Sequence, residues 1–454
     1  MSDILIGNGT VVTGGEHNEL IEHGAVLVRG DRVADIGSDV ALLQQYPGAH
    51  YIDASGGVIM PGFLCTHTHF YSAFARGMAI PGEQPRNFPE ILERLWWRLD
   101  KLLTLQDIRA SADVYMADAI RHGVTCVVDH HASPNAIEGS LDVIADSVEQ
   151  AGIRACLAYE VSDRDGLDVI VGGIRENERF MHVLRAGRRQ QAEAGMISAS
   201  FGLHASFTLS PATLERCAAV GAGMGVGFHI HVAEDISDEN DCATRYQQRV
   251  VERLAHILGP RSIAAHCVHV NSGEIGRLAE TRTHSVHNAR SNMNNAVGRA
   301  PVEKMLGAGV NVGIGNDGFS MNMLQEMKTA YLLHKFALAD PRAMPGDLVF
   351  DMAFQNNARI IDAVFRPFSR DFPRVGALSV GAAADLVLLD YQPPTPMDDG
   401  NFPWHLIFGM EGHHVNSTMA AGRWLMRNRQ LLTIDEVRIH ARARELSQAL
   451  WKRM

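Results

Sequence analysis

Two histidines two residues apart, His67 and His69, close the apolar run VIMPGFLCTHTHF from Val58 to Phe70. In a strand, residues i and i+2 face the same side, so both imidazoles can reach one metal ion. Two exposed polar residues at a strand end share that spacing, so partners decide the matter. His231 and Asp317, each closing a later apolar run, serve as third and fourth ligands, because a carboxylate binds a hard cation and also accepts a proton. Glu234 lies three residues beyond His231, where strand gives way to loop, and suits a proton shuttle that does not bind the metal. His266, in IAAHCVHV, could bind the metal or hydrogen-bond hydroxide and orient it, while His269, three residues on, faces away. With the ligands accounted for, His204 in GLHASFTLS suits substrate contact. Such a set leaves one coordination position open for water, whose pKa a catalytic metal lowers to about 7. A structural metal is the poorer fit, since such sites are closed and cysteine-rich and the six cysteines here stand singly without a CxxC pair.

Positioning these residues takes a run of parallel strands. Short apolar runs alternate with helix-length amphipathic segments, which predicts strands joined by crossover helices. Eight strands are expected at Phe63 to Phe70, Val124 to His130, Ala155 to Val161, Ile197 to Ala205, Val226 to Ala233, Ser262 to Val268, His284 to Asn288 and Val310 to Asn316. Six of them run into polar residues: His67/His69, Asp129/His130/His131, His204, His229/His231/Glu234, His266/His269 and Asp317. In a (β/α)8 TIM-type barrel the active site lies at the carboxyl ends of the strands, so one shared pocket follows. Residues 1–55 and 371–454 carry short β-runs with turn signals, Gly30-Asp31 among them, and pair into a small β-sandwich domain, the second part ending in a helix. Residues 56–370 form the barrel. The segment FPEILERLWWRLDKLL is a helix whose Phe88, Trp96, Trp97 and Leu103 form an apolar face that packs on the barrel, with direct substrate contact as the alternative, and the Gly82/Pro85 loop before Phe88 is a lid candidate.

Composition excludes other classes. Apolar residues at 46% and charged residues at 20% describe an ordinary globular protein, and 454 residues bury a large core. A net charge of -11 with no basic run argues against a nucleic-acid partner. No apolar run approaches the roughly 18 residues of a membrane span, and no secretory pattern opens the chain, so a cytoplasmic protein without a membrane partner is expected. The third and fourth strands hold no lysine, which removes the usual carbamylated bridge of a two-metal barrel and favours one divalent metal per chain, zinc first and iron second.

The ordered set PGFLCTHTHF, HIHVAE, AHCVH, SNMNN and GNDG, together with GAAADLVLLD near the end, resembles the amidohydrolase superfamily in its mononuclear, cytosine-deaminase-like branch. The resemblance covers essentially the whole chain. It implies His67, His69, His231 and Asp317 as metal ligands, Glu234 as proton shuttle, His266 as the residue that orients hydroxide and His204 as a substrate contact. It also implies a homo-oligomer acting on a small molecule. The implied reaction is hydrolysis of an amidine-like C–N bond in a nitrogen heterocycle with release of ammonia. The alternatives are loss of chloride or an alkylamine from a triazine-like ring, cleavage of an amide, or a scaffold without chemistry. Many relatives have Pro where this chain has Arg290 and Thr where it has Asn316, and Asp129-His130-His131 is richer in histidine than usual. Arg290 and His131 are candidates either to bind an anionic or carbonyl edge of the substrate or to serve as structural hydrogen-bonding residues.

Overall fold

The structure, a computed structural model, describes residues 3–80, 82–189 and 194–454. Its barrel strands are β6 (Phe63–Thr68), β7 (Val124–Asp129), β8 (Arg154–Leu157), β9 (Ile197–Ala199), β10 (Phe201–Ala205), β11 (Phe228–Val232), β12 (Ile263–His266), β13 (His284–His287) and β14 (Val312–Ile314). Neighbouring pairs within β6 to β9 and within β10 to β14 run parallel. Nearly every strand residue is buried, as expected of parallel strands covered on both faces, which read as unbroken apolar runs. The expected fourth strand is broken at Ser200: β9 pairs back to β8, and β10 pairs forward to β11. A Val161–Leu203 bridge spans the break. The ring closes where Thr68 bridges Asp317 and the Asn316 amide donates to His67 O at 3.0 Å.

Helices cover the barrel, and two of them open with capping boxes. Thr104 and Asp107 exchange hydrogen bonds at the start of the helix Leu105–Arg121, and Asn271 and Glu274 do so at Ser272–Thr281.

The two chain ends meet in one sheet. From its amino-terminal part come β1 (Ile4–Val12), β2 (Leu20–Arg29), β3 (Arg32–Ser38), β4 (His50–Asp53) and β5 (Val58–Pro61). The other part supplies β15 (Leu386–Leu389), β16 (Val415–Ala420), β17 (Arg423–Arg427) and β18 (Gln430–Leu431). The order is β18-β17-β16-β15-β5-β1-β2-β3, with β4 on β1, so the seam between the chain ends is the antiparallel pair β5–β15. Gly62 alone separates β5 from β6, so the sheet leads directly into the strand that bears His67. At the far end the helix Glu436–Trp451 packs on Leu105–Arg121, and Trp451 Nε1 donates to Phe74 O at 2.7 Å, in the turn just after His69. Among the described residues no helix is long and apolar enough to cross a membrane.

Candidate active site

His67 is the penultimate residue of β6, and His69 follows in extended backbone at φ −126°. The alternation of the strand turns both rings inward, as the spacing predicts. Space for His67 comes from Gly315, where a Cβ would stand 2.8 Å from His67 O and 2.6 Å from Asn288 Oδ1. His231 comes from β11, and Asp317 from the turn after β14 in a left-handed conformation, φ 55°. His266, at the end of β12, is also left-handed at φ 70°, as is Ala233 at φ 46° just before Glu234. Left-handed backbone is uncommon for residues other than glycine, and such strain collects at functional sites.

Hydrogen bonds fix which ring nitrogens are free. His69 Nδ1–H donates to His130 O at 2.6 Å, and His231 Nδ1–H donates to His204 O at 2.8 Å. Both Nε2 atoms are therefore bare lone pairs, yet they face each other at 3.2 Å. Asp317 Oδ1 lies 3.3 Å from His69 Nε2. His67 directs Nδ1 to His229 Nε2 at 2.8 Å, which leaves its Nε2 buried without a partner. His266 Nδ1–H donates to Asn292 Oδ1 at 2.8 Å, and its Nε2 is likewise buried and unpartnered. Orphaned buried acceptors are costly, and a cation among them would satisfy those it reaches. The ligand atoms of His67, His69 and Asp317 lie within 4.8 Å of one another, as do those of His67, His231 and His266. Burial pushes His67, His69 and His231 below the usual imidazole range, so they present the neutral form that binds metal. The donor set fits a divalent metal of the zinc type.

Glu234 stands beside this cluster, with Oε2 3.7 Å from His266 Nε2 and Oε1 accepting from Asn295 Nδ2 at 3.3 Å. Burial pushes its carboxyl up to about 7, against the pull of His266. A group poised there gives and takes a proton at neutral pH. Asp317 Oδ2 accepts from the Ser291 hydroxyl and lies 3.7 Å from His266 Nε2.

A cavity of about 490 Å³ opens above these groups. His69, His231, Glu234, Asp317 and His204 line it, together with Tyr71, Phe88, Leu92, Trp96, Trp97, Asp100, Glu160 and Asn295. Phe88, Trp96 and Trp97 pack on the hydrophobic core as expected and also form a wall of the cavity, while Leu103 is buried away from it. Between Phe88 and Trp97 the helix widens into a π-turn over Leu92–Trp96, which shifts the face taken by the side chains that follow. His131 and Arg290 are not brought to the cavity. His131 is buried, with Nε2 2.9 Å from Ser133 Oγ. Arg290 pairs with the buried Glu326, donates to Ser320 O at 2.9 Å and lies over Phe319. Glu160 and Asp100 enter the cavity without having been singled out in the sequence, although Glu160 in ACLAYEV is a carboxylate at the end of the third apolar run.

Three imidazoles and a carboxylate at the mouth of a (β/α)8 barrel, with a free acid at their side, define a metal-dependent hydrolase. Residues 58–425 match the amidohydrolase family, and residues 24–49 match an imidazolonepropionase-like composite domain of bacteria. The chain is 31% identical over 462 residues, 100% of both chains, to a 5'-deoxyadenosine deaminase of Methanosarcina mazei. It is also 31% identical over 456 residues, 98% of this chain and 99% of the other, to a 5-methylthioadenosine/S-adenosylhomocysteine deaminase of Syntrophomonas wolfei. Among solved structures, a zinc-bound adenosine deaminase from Xanthomonas campestris shares the fold with a TM-score of 0.85 at 24% identity over 99% of each chain. The zinc complex of the atrazine chlorohydrolase TrzN from Arthrobacter aurescens TC1 gives 0.81 at 22% identity over 99% of this chain and 100% of the other. The chain belongs to the amidohydrolase family, and it is a hydrolase of carbon–nitrogen bonds.

Proposed function

We propose that this chain removes the amino group from an amidine-like carbon of a nitrogen heterocycle, with adenine nucleosides as the first substrate class, and releases ammonia. The observation that supports this most is the placement of Glu234: buried, poised at about 7, and beside His266 and Asp317. Full-length similarity to deaminases named for 5'-deoxyadenosine and 5-methylthioadenosine supports the substrate class.

His67, His69, His231 and Asp317 would hold one divalent metal, zinc first and iron second. When bound, such a metal lowers the pKa of water to about 7 and so furnishes hydroxide. Glu234 gives its proton to the ring nitrogen next to the carbon under attack, which draws electron density off that carbon. His266 Nε2, 3.7 Å from both Glu234 Oε2 and Asp317 Oδ2, orients the attacking oxygen. Asp317 accepts the proton that oxygen sheds, and Glu234, having given up its own, carries that proton on to the leaving amine, which departs as ammonia. The proton lost when water becomes hydroxide recharges Glu234. One C–O bond forms, one C–N bond breaks, and one water is consumed.

The test is ammonia release from adenosine, 5'-deoxyadenosine and 5'-methylthioadenosine, with chloride release from a chlorotriazine followed in parallel. Glu234→Gln keeps metal content and lowers turnover about 100- to 10,000-fold. A metal-replete variant with full activity refutes the assignment.

The runs LWWRLD, DHHASP, HNARSNMNN and FGM also resemble the SsnA aminohydrolases of selenium-metabolism operons, and we infer that the chain stands near that group. A cytoplasmic setting fits six buried cysteines, all free. A homo-oligomer fits the exposed Leu332, Phe336 and Phe408.

A further inference from the structure

Glu160 is buried at the barrel mouth and takes no part in the chemistry above. Its Oε2 lies 3.2 Å from His130 Nδ1, and its Oε1 faces His204 Nε2 at 3.9 Å, too far for a hydrogen bond. The Thr208 hydroxyl donates to Ala205 O at 3.1 Å, so its oxygen accepts from His204 Nδ1–H at 2.7 Å. That leaves His204 Nε2 as a bare lone pair in the neutral ring, and two acceptors, one anionic, therefore share one side of the cavity. Glu234 and Asp317 also line the cavity, and among the described lining residues there is no lysine or arginine; Asp100, the remaining carboxylate, is paired with Arg164, which lies behind Trp97. An acceptor-rich, desolvated wall penalises a ligand that brings only acceptors and rewards one that brings a donor. Trp97, with its ring 6.2 Å from that of His204, limits the approach to the pair.

We propose that Glu160 and His204 form an acceptor pair that selects substrates bearing a hydrogen-bond donor, a ring N–H, amine or hydroxyl, apart from the carbon under attack. The inference rests on the mouth being an aminohydrolase site. Glu160 is then a specificity-determining residue, and acceptor-only or anionic analogues are excluded there.

Two matched pairs of ligands test this by calorimetry on the metal-replete Glu234→Gln enzyme, which holds ligand without consuming it. One pair is adenosine and 2',3'-dideoxyadenosine, and the other is adenine and 9-methyladenine; each second member lacks a donor. In at least one pair the donor-bearing member binds about tenfold or more tighter, the effect of one charge-assisted hydrogen bond. Adding Glu160→Gln, which retains the shape but offers one oxygen and a competing donor, cuts that ratio to below about threefold. Metal content and melting temperature stay as in the parent. Equal binding within both pairs, no binding by any of the four, an equal loss for both members in Glu160→Gln, or a lost equivalent of metal overturns the proposal; the last would make Glu160 a ligand to a second ion. Discrimination that persists while wild-type enzyme releases no ammonia upholds the acceptor pair and overturns only the reaction assigned above.

Discussion

Removing Arg154 should unfold the protein far more readily without touching the chemistry. Arg154 opens β8 at the end of the barrel away from the metal cluster and is fully buried. Its guanidinium binds Asp385 through Nε at 2.8 Å and Nη2 at 3.2 Å, and donates through Nη1 to Gly195 O at 2.8 Å. Asp385 also accepts from the Ala421 amide at 2.7 Å, and its carbonyl accepts from Gly62 N at 3.1 Å, between β5 and β6. The pair thus joins the underside of the barrel to the sheet built from the chain ends. Arg154→Met replaces the stem but leaves the Asp385 carboxylate 2% exposed and without its counter-ion. Stranding a buried charge costs about 3–5 kcal/mol, whereas a buried pair replaced as a whole by apolar residues costs little or nothing. Urea denaturation should therefore show a loss of about 3–5 kcal/mol for Arg154→Met, with Arg154→Met/Asp385→Leu recovering most of it. Turnover per folded molecule should not change, because the catalytic face is at the other end of the strands. A single variant that loses less than about 1 kcal/mol, or a double variant as unstable as the sum of its parts, would refute this account.

Stripping metal with a chelator should lower the melting temperature, since a ligand held by the folded state alone contributes about 4.1 kcal/mol at 1,000 times its dissociation constant. Asp317→Asn should lose metal and turnover together, as measured by elemental analysis; full metal content would remove Asp317 from the ligand set. Trp97→Ala should raise KM about 5- to 150-fold with a smaller change in kcat, the range for losing one aromatic stacking partner of a base. An unchanged KM would return Trp97 to simple packing. Burial pushes Asp238 up to about 7, although it accepts from the Phe207 amide at 3.0 Å and the Ala233 amide at 3.1 Å. Between an unfolded pKa near 3.9 and about 7, the folded state keeps a proton that the unfolded chain gives up, so stability falls as pH rises through that window. Asp238→Asn should flatten the slope of stability against pH by up to about 1.4 kcal/mol per unit there, and an unaltered slope would show that Asp238 is ionised when folded.

The strands and their polar ends were legible because a barrel imposes both at once. A run buried on both faces has to be apolar, and any ionisable residue that ends it has to face the mouth. His67, His69, His231, His266 and Asp317 obey that rule, and Asp317 and His266 do so only through left-handed backbone that no spacing announces. Side chains whose direction depends on more than strand alternation were less legible. Trp96 ends a π-turn and Trp97 follows it, so the ordinary helical period fails there. Arg290 stands in the first turn of a helix, near enough to Glu326 to be held by it, and a buried carboxylate claims a guanidinium before any ligand can.

Glu160 shows the opposite failure, and its cause is physical. ACLAYEV looks like a strand whose single carboxylate has escaped to the surface, because a buried glutamate is rare unless paired. The partner that permits its burial comes from the residues just after β7: His130, which is far from it in sequence. The surplus of histidine after β7, Asp129-His130-His131, is thus explained by division of labour. Asp129 accepts from the Phe70 amide at 2.8 Å and fixes the turn after His69, His130 supports Glu160, and His131 packs beneath the wall at Ser133. One strand end thereby ties the metal cluster, on one side, to the acceptor pair on the other. Substitution at His130 should accordingly move substrate preference and metal affinity together, as neither Glu160→Gln nor Asp317→Asn alone would.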